Sequence, residues 1–367
     1  MRNNANFVFH FYRLGEWHQV SVDRTLPVRR RALPSKTGEW WVPLVEKAYA
    51  KFNGSYDNIN GGVTTWSLSD MTGGVAVRMD LTWANVEAIG VTEFKEFIQR
   101  YLERNAIFTT SNDHDYLSRS TGEVYESNGL VKGHAYSLLS VEDVLTRHGP
   151  KCLVKLRNPH GQTEWKGKWA DNSSKWELVD KETQAKIGYK WEHDGGFFMA
   201  FEDWVNQFEI FTMCYIPYVF GENEYYTHQR DNRVLGTLVP GLNCGYKMLE
   251  HNLQFLLTLN HPQDVWIQLL HDAQNPKEES YTMLNIYQRE TIPDERIDLQ
   301  YVDKSLHFVD SFLPRLGKNR SCQYSQNGFC YRLQAGTYFM MAAFNVPSER
   351  KFMIRVIADS VDLKLLQ

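Results

Sequence analysis

The sequence predicts an α+β protein of more than one domain, mixed in its first 216 or so residues and antiparallel β from there on. Three observations carry this. Apolar residues recur at helical spacing in a few segments only, as at 41, 44, 45, 48, 49 and 52, whereas period-two alternation governs most of the rest. From about residue 217 only short alternating runs spaced by turn clusters occur, the pattern of an antiparallel β-sandwich. The chain of 367 residues points to roughly two domains rather than one.

The elements follow in order. Residues 7–28 hold two alternating stretches on either side of Leu14-Gly15-Glu16, a β-hairpin ended by Pro27. Trp40–Phe52 is an amphipathic helix stopped at Gly54. The glycine-rich stretch from Asn53 to Gly74 lacks apolar periodicity and is expected as tight loops. Val91–Arg104 forms a second helix with Thr92 as its N-cap and Phe94, Phe97, Ile98, Tyr101 and Leu102 on one face. Residues 106–170 are short strands; in Cys152–Arg157 the side chains of Cys152, Val154 and Leu156 share a face. A third helix is expected over Phe201–Phe211. Runs such as Gln254–Leu259, Val265–Leu270 and Thr337–Met341 supply the strands of the sandwich.

Lys and Arg number 40 against 44 Asp and Glu, and the longest basic block is Arg29-Arg30-Arg31, which excludes a broad nucleic-acid surface. No apolar run reaches the roughly 18–20 residues of a membrane span, so no transmembrane segment is expected and the chain is placed in the cytoplasm. Its five cysteines, at 152, 214, 244, 322 and 330, are odd in number, dispersed and without a C-x-x-C pair, which suits reduced thiols.

Among twelve histidines, His134 stands apart. It follows Gly133, which permits close approach of backbone or substrate, at the start of a strand. Asn158, at the end of the alternating strand, is either the residue that orients that imidazole, the third member of a Cys-His-Asn triad, or an Asn-Pro turn.

Several longer segments add to this. Glu46–Tyr56, Thr72-Gly73-Gly74, Leu130–Ser137, Leu156-Arg157-Asn158-Pro159, Glu164–Ser174 and Asp194–Met199 together resemble, in order, the calpains, papain-like cysteine proteases of the Cys-His-Asn clan. The resemblance is strong over residues 7–216 and weaker over the calpain-type β-sandwich. It implies a papain-like protease core with a partial first lobe (1–80) and a complete second lobe (81–216), followed by the sandwich (217–362).

By that resemblance His134 and Asn158 are catalytic, and Gly133 and His160 line the substrate cleft, His160 standing where the family usually has Trp. Glu164, Asp171 and Asp194 match a calcium site, weakened because Gly196 replaces an expected acid; without the resemblance these three acids read as a solvated loop. In the first lobe Ser69 stands beside Asp70 where an acid is expected. The implied activity is calcium-dependent endopeptidase cleavage of intracellular protein substrates. Papain-like enzymes carry the nucleophile roughly 130–150 residues before the histidine, yet no Cys precedes residue 152. The chain is therefore expected to be N-terminally incomplete and inactive as it stands. The alternative is a non-catalytic homologue that binds or regulates a protein partner. The sandwich, whose acidic stretch Pro276–Ser280 holds two acids, gives only weak support to membrane association.

Overall fold

The computed structural model describes residues 6–27, 39–112, 123–217, 219–220, 225–226, 229–238, 252–272, 281–288, 307–309, 321–322, 326–346 and 348–366. The acidic stretch 276–280 and Cys244 lie outside them. In chain order the elements are β1 (Phe7–Arg13), β2 (Glu16–Val22), α1 (Trp41–Phe52), α2 (Thr64–Thr72), β3 (Val75–Asp80), α3 (Trp83–Ile89), α4 (Val91–Glu103), β4 (Ile107–Ser111), β5 (Val124–Tyr125), β6 (Val131–Lys132), β7 (Ala135–Thr146), β8 (Gly149–Arg157), α5 (Lys181–Lys186), β9 (Gly196–Ala200), α6 (Phe201–Gln207) and β10 (Ile210–Tyr215). There follow β11 (Val219–Phe220), β12 (Tyr225–Tyr226), β13 (Arg230–Leu238), β14 (Leu253–Leu259), β15 (Gln263–His271), β16 (Tyr281–Gln288), β17 (His307–Val309), β18 (Ser321–Cys322), β19 (Gln326–Leu333), β20 (Gly336–Asn345), β21 (Arg350–Ala358) and β22 (Asp362–Leu366).

The chain divides into two compact units. One joins the residues up to Val75 with those from Pro217 onward; the other is built from Ala76–Ile216. The architecture is α+β, as expected.

In the first unit β1 and β2 pair antiparallel from Phe7↔Val22 to Arg13↔Glu16. Leu14 (φ 48°) and Gly15 (φ 87°) both take the left-handed conformation a two-residue hairpin turn demands. The hairpin covers the apolar face of α1 through Phe11, Val20, Val22 and Ala48. The later strands form two antiparallel sheets, β13-β21-β15-β19 and β17-β16-β20-β14-β22, whose inner faces share one core that includes Phe255, Leu269, Tyr331, Met340 and Ile354.

The N-terminal hairpin and helices are fastened to these sheets by a buried arginine. Arg355 has no exposed side-chain surface and meets Asp231 with two bonds, Nε to Oδ1 at 2.9 Å and Nη2 to Oδ2 at 3.0 Å. Its Nη1 donates to the Gly73 carbonyl at 2.7 Å, just past α2, and its guanidinium lies 5.2 Å from the Tyr12 ring centroid. Arg233 donates to the Gly15 carbonyl at 2.7 Å, and Tyr12, Leu270 and Met353 form an apolar contact between hairpin and sheet. Ser69 accepts from Gln268 at 3.3 Å, and Asp70 is taken up by Arg13 at 2.7 Å and the Tyr49 hydroxyl at 3.0 Å.

Among the described residues the second unit holds a sheet in the order β3-β10-β4-β7-β8-β9 and the two-stranded pair β5-β6. α4 buries Phe94, Phe97, Ile98 and Tyr101 against it, and Phe94 stacks on Trp204 at 6.2 Å and 7°.

Three sequence expectations need correction. The stretch 53–74 is not all loop, since α2 lies within it; this helix is polar and is held by the burial of Trp66, Ser69 and Asp70, which periodicity does not report. The third helix stops at Gln207, and Ile210–Tyr215 is a strand. All six of its residues are buried in mid-sheet, so it shows no alternation, and Phe201, Trp204, Phe208 and Phe211 imitate a helical stripe. Finally, α4 is capped at Gly90 with no side-chain bond, rather than by Thr92.

Arg355→Ala takes two charged hydrogen bonds from Asp231, which keeps those of Arg233, and one from the Gly73 carbonyl. Hydrogen bonds to a charged group are worth about 1.5–3 kcal/mol, so the urea unfolding midpoint should fall. An unchanged midpoint would show that the pair does not fasten the segment.

Candidate active site

The site forms at one end of the β7–β8 hairpin. These strands pair antiparallel, Ser137 opposite Arg157, so the residue just before β7 and the residue just after β8 come together although they are 24 apart in sequence. Gly133 (φ 71°) turns the chain from β6 into β7, a left-handed conformation that a side chain would strain, and His134 follows it. Tyr136 forms the floor: it is buried, its hydroxyl accepts from the Val131 backbone N–H at 2.8 Å, and its ring meets His134 edge-on at 5.1 Å and 80°.

Asn158 is completely buried. Its Nδ2 donates to the carbonyls of Gln162 at 2.6 Å and Thr163 at 3.1 Å, and to Thr163 Oγ1 at 3.0 Å. Its Oδ1 accepts from the His160 backbone N–H at 3.0 Å. That set fixes which end of the amide is oxygen. The remaining contact, His134 Nε2 to Oδ1 at 2.8 Å, is therefore an N–H donated by the imidazole, so that a neutral ring has its lone pair on Nδ1.

Nδ1 faces Glu123, whose Oε1 lies 2.8 Å away. The β5–β6 hairpin sets this up, since Val124 pairs with Lys132 and the preceding Glu123 arrives opposite the His134 turn. His160 stacks on His134 at 4.2 Å and 19°, and its Nε2 lies 2.9 Å from both Glu123 oxygens. The His134 side chain is 9% exposed. Burial holds it below the usual histidine range; Asn158 and Glu123 oppose that, and nearby His160 reinforces it. Residue by residue, the structure joins His134 to Asn158 and places Gly133 and His160 beside them. Glu123 and Tyr136 complete the cluster and were not singled out in the sequence, although Tyr136 lies inside the Leu130–Ser137 segment.

The three acids lie on loops next to this cluster. Glu164 Oε1 accepts from the Gly195 N–H at 2.9 Å, Asp194 Oδ1 from the Gly196 N–H at 2.8 Å, and Asp171 Oδ2 from the Glu192 N–H at 3.3 Å. Burial, then the carboxylates of Glu164 and Asp194, push the Asp171 carboxyl up to about 6. Asp171 and Asp194 line a cavity of about 350 Å³ together with Lys155, Arg157 and Lys190. The Asn158 N–H donates to the Gly195 carbonyl at 2.7 Å, so one residue joins the acidic loop to the His134–Asn158 pair. Gly195 has φ 89°, and a Cβ there would sit 2.6 Å from the Asn158 carbonyl oxygen.

The sequence profile described as calpain family cysteine protease matches residues 2–215. The chain belongs to the calpain family. It is 38% identical over 212 residues to the calpain-2 catalytic subunit of Gallus gallus, covering 57% of this chain and 29% of that protein. It is 37% identical over 213 residues to calpain clp-1 of Caenorhabditis elegans (57% and 26% covered). With calpain-A of Drosophila melanogaster it shares 33% identity over 276 residues (70% and 32% covered). The chain thus spans less than a third of the length of these calpains.

None of the fully described cysteines partners His134. Cys214 is buried in β10 and Cys330 is buried in β19. Cys152 lies opposite Asp143 on β8, six residues before Asn158 and so about 20 Å away along the strand. Burial pushes its thiol up to about 12, only partly opposed by Lys95.

Two outcomes follow. Asn158→Ala takes a donor from the carbonyls of residues 162 and 163, the first of which keeps the Thr163 hydroxyl, at about 0.5–1.5 kcal/mol for each hydrogen bond lost, and unpins the imidazole. Urea unfolding should show lower stability, and the His134 ring NMR signals should lose the signature of a single tautomer. Cys152, as a protonated thiol, should resist iodoacetamide at pH 8 in the folded protein and react on unfolding; rapid native-state labelling at Cys152 by peptide mapping would contradict the raised pKa.

Proposed function

We propose that the chain carries the acid–base half of a calpain-type cysteine endopeptidase acting on intracellular, cytoplasmic proteins, with His134 as the base, Asn158 as its positioning residue, and Gly133 and His160 lining the substrate cleft. One observation supports this above the others: Asn158 occupies Nε2 of His134, which leaves Nδ1 as the nitrogen for a thiol. In such chemistry the imidazole takes the thiol proton, the thiolate attacks the peptide carbonyl, and the imidazolium protonates the departing amine. None of the five cysteines stands where the family carries its nucleophile, ahead of the histidine in sequence, and the 367-residue polypeptide alone is expected to leave casein intact.

Calcium dependence is part of the proposal. Glu164, Asp171 and Asp194 are oxygen donors of the kind a hard cation takes, and the Asp171 carboxyl, raised first by burial and then by the charges of Glu164 and Asp194, sits beside negative charge that a cation would offset. When bound, calcium supplies that neutralisation, and Gly195 couples the loop to Asn158. All three of these carboxylates already accept backbone bonds, in keeping with weak affinity. Calorimetric titration should give a calcium affinity that drops in Asp171→Asn.

A second reading, a non-catalytic homologue that binds a protein partner, draws on Glu123, which already occupies Nδ1. The deciding experiment fuses the nucleophile-bearing segment of the Gallus gallus calpain-2 catalytic subunit to this chain and measures calcium-dependent casein cleavage. General acid–base catalysis contributes about 10²–10⁴-fold, so His134→Ala should abolish cleavage on that scale. A folded fusion that stays inactive at saturating calcium, with Glu123 or with Glu123→Ala, favours the second reading.

A further inference from the structure

Glu123, His134 and His160 form a group whose use need not be peptide chemistry. One ligand atom from each lies within 4.8 Å of the other two, and among the described residues no other three His, Cys, Asp or Glu side chains meet that condition. We propose that these three side chains bind a zinc ion, which silences the site by taking Nδ1 of His134.

The donor set selects the metal. Two imidazole nitrogens and one carboxylate are ligands zinc accepts in four-coordinate geometry with water in the remaining position, whereas calcium and magnesium take oxygen alone. The acids 164, 171 and 194, all oxygen, would therefore not compete for the same ion. The outer shell is also in place. A metal-bound histidine needs its other ring nitrogen anchored as a donor, and His134 Nε2 is anchored at 2.8 Å on an asparagine oxygen whose own orientation is set by His160 N–H and three acceptors.

Accepting the ion requires His160 to turn: rings stacked at 4.2 Å and 19° cannot both hold one ion in their planes, so the exposed imidazole of His160 must swing out of the stack. Ligand atoms now 2.8–2.9 Å apart must open to about 3.3 Å, the edge of a tetrahedron with zinc–ligand bonds of about 2.0–2.1 Å. The two side chains that must yield are the open ones, Glu123 at 36% and His160 at 44% exposure, while His134 at 9% is held. The exposed pair also gives zinc a path in from solvent.

Zinc binding stands on the geometry alone, and only its silencing effect rests on the reading of His134 as the base. The test is zinc titration of the EDTA-treated 367-residue protein by calorimetry, with cobalt(II) as a visible-absorbing stand-in. One equivalent should bind. Affinity should fall more than 100-fold in His160→Ala and in Glu123→Gln, both surface changes, with the fold checked by circular dichroism. It should fall 10–100-fold in Asn158→Ala and hold in His193→Ala, a 90% exposed histidine near Glu164. Absence of stoichiometric zinc, or affinity unmoved by His160→Ala, overturns the site. In the calpain-2 fusion, zinc should inhibit the parent and spare Glu123→Gln; inhibition independent of residue 123 overturns the silencing role. A fusion inactive without zinc counts against the base reading instead, because the titration decides the metal site by itself.

Discussion

The hydrogen-bonding of one buried amide governs the geometry of the site. Asn158 has no exposed surface and every polar atom of its side chain is engaged. An amide so enclosed has one orientation, because a flip would set N–H against N–H and oxygen against oxygen at several contacts. Which nitrogen of His134 carries the proton, where its lone pair points and which neighbours can use it all descend from that constraint. The strand pairing below brings two residues into range; the amide turns proximity into a defined chemical state.

The surroundings are built to keep that amide still. Its carbonyl-side neighbours come from the turn that follows, its backbone N–H is tied to Gly195, and the imidazole it holds rests on the buried Tyr136 ring. Exposure rises from Asn158 to His134 and then to Glu123 and His160. Rigid groups lie beneath and adaptable groups above, the order a site needs if it must hold a proton acceptor in place yet admit something from solvent.

Much of this was legible in the sequence, and the misses have physical causes. His134 and Asn158 sit in segments whose neighbours, Gly133 and Pro159, mark a turn at each strand end, so local pattern and resemblance pointed to the same residues. Glu123 gave no such signal, because its role comes from the register of a two-residue ladder, Val124 on Lys132, that composition cannot disclose. The β1–β2 hairpin was readable because alternation and a glycine turn agree with each other. β10 was not, since a strand buried on both faces loses the alternation that identifies strands. α2 went unread because burial against other elements, rather than an apolar stripe, holds it together. Arg355 was invisible for a related reason: nothing around position 355 announces a fully buried cation whose partners lie more than a hundred residues away.

The discontinuity of the first unit bears on how the chain is made. Its two halves are separated by the roughly 140 residues of Ala76–Ile216. Relative to a 20-residue connection, that separation adds under three doublings of loop length, about 1.7 kcal/mol at about 0.6 kcal/mol each, a modest thermodynamic burden. The kinetic one is larger. At roughly 5–20 residues per second of synthesis, α2 waits about 14 to 56 s before Arg355, 282 residues beyond Gly73, emerges to receive its carbonyl. Meanwhile the intervening unit can draw on contacts of its own. The polypeptide thus completes its site-bearing part while the earlier segment still lacks its cover, and that interval is when a nascent chain of this kind is most exposed to chaperones or to mispairing.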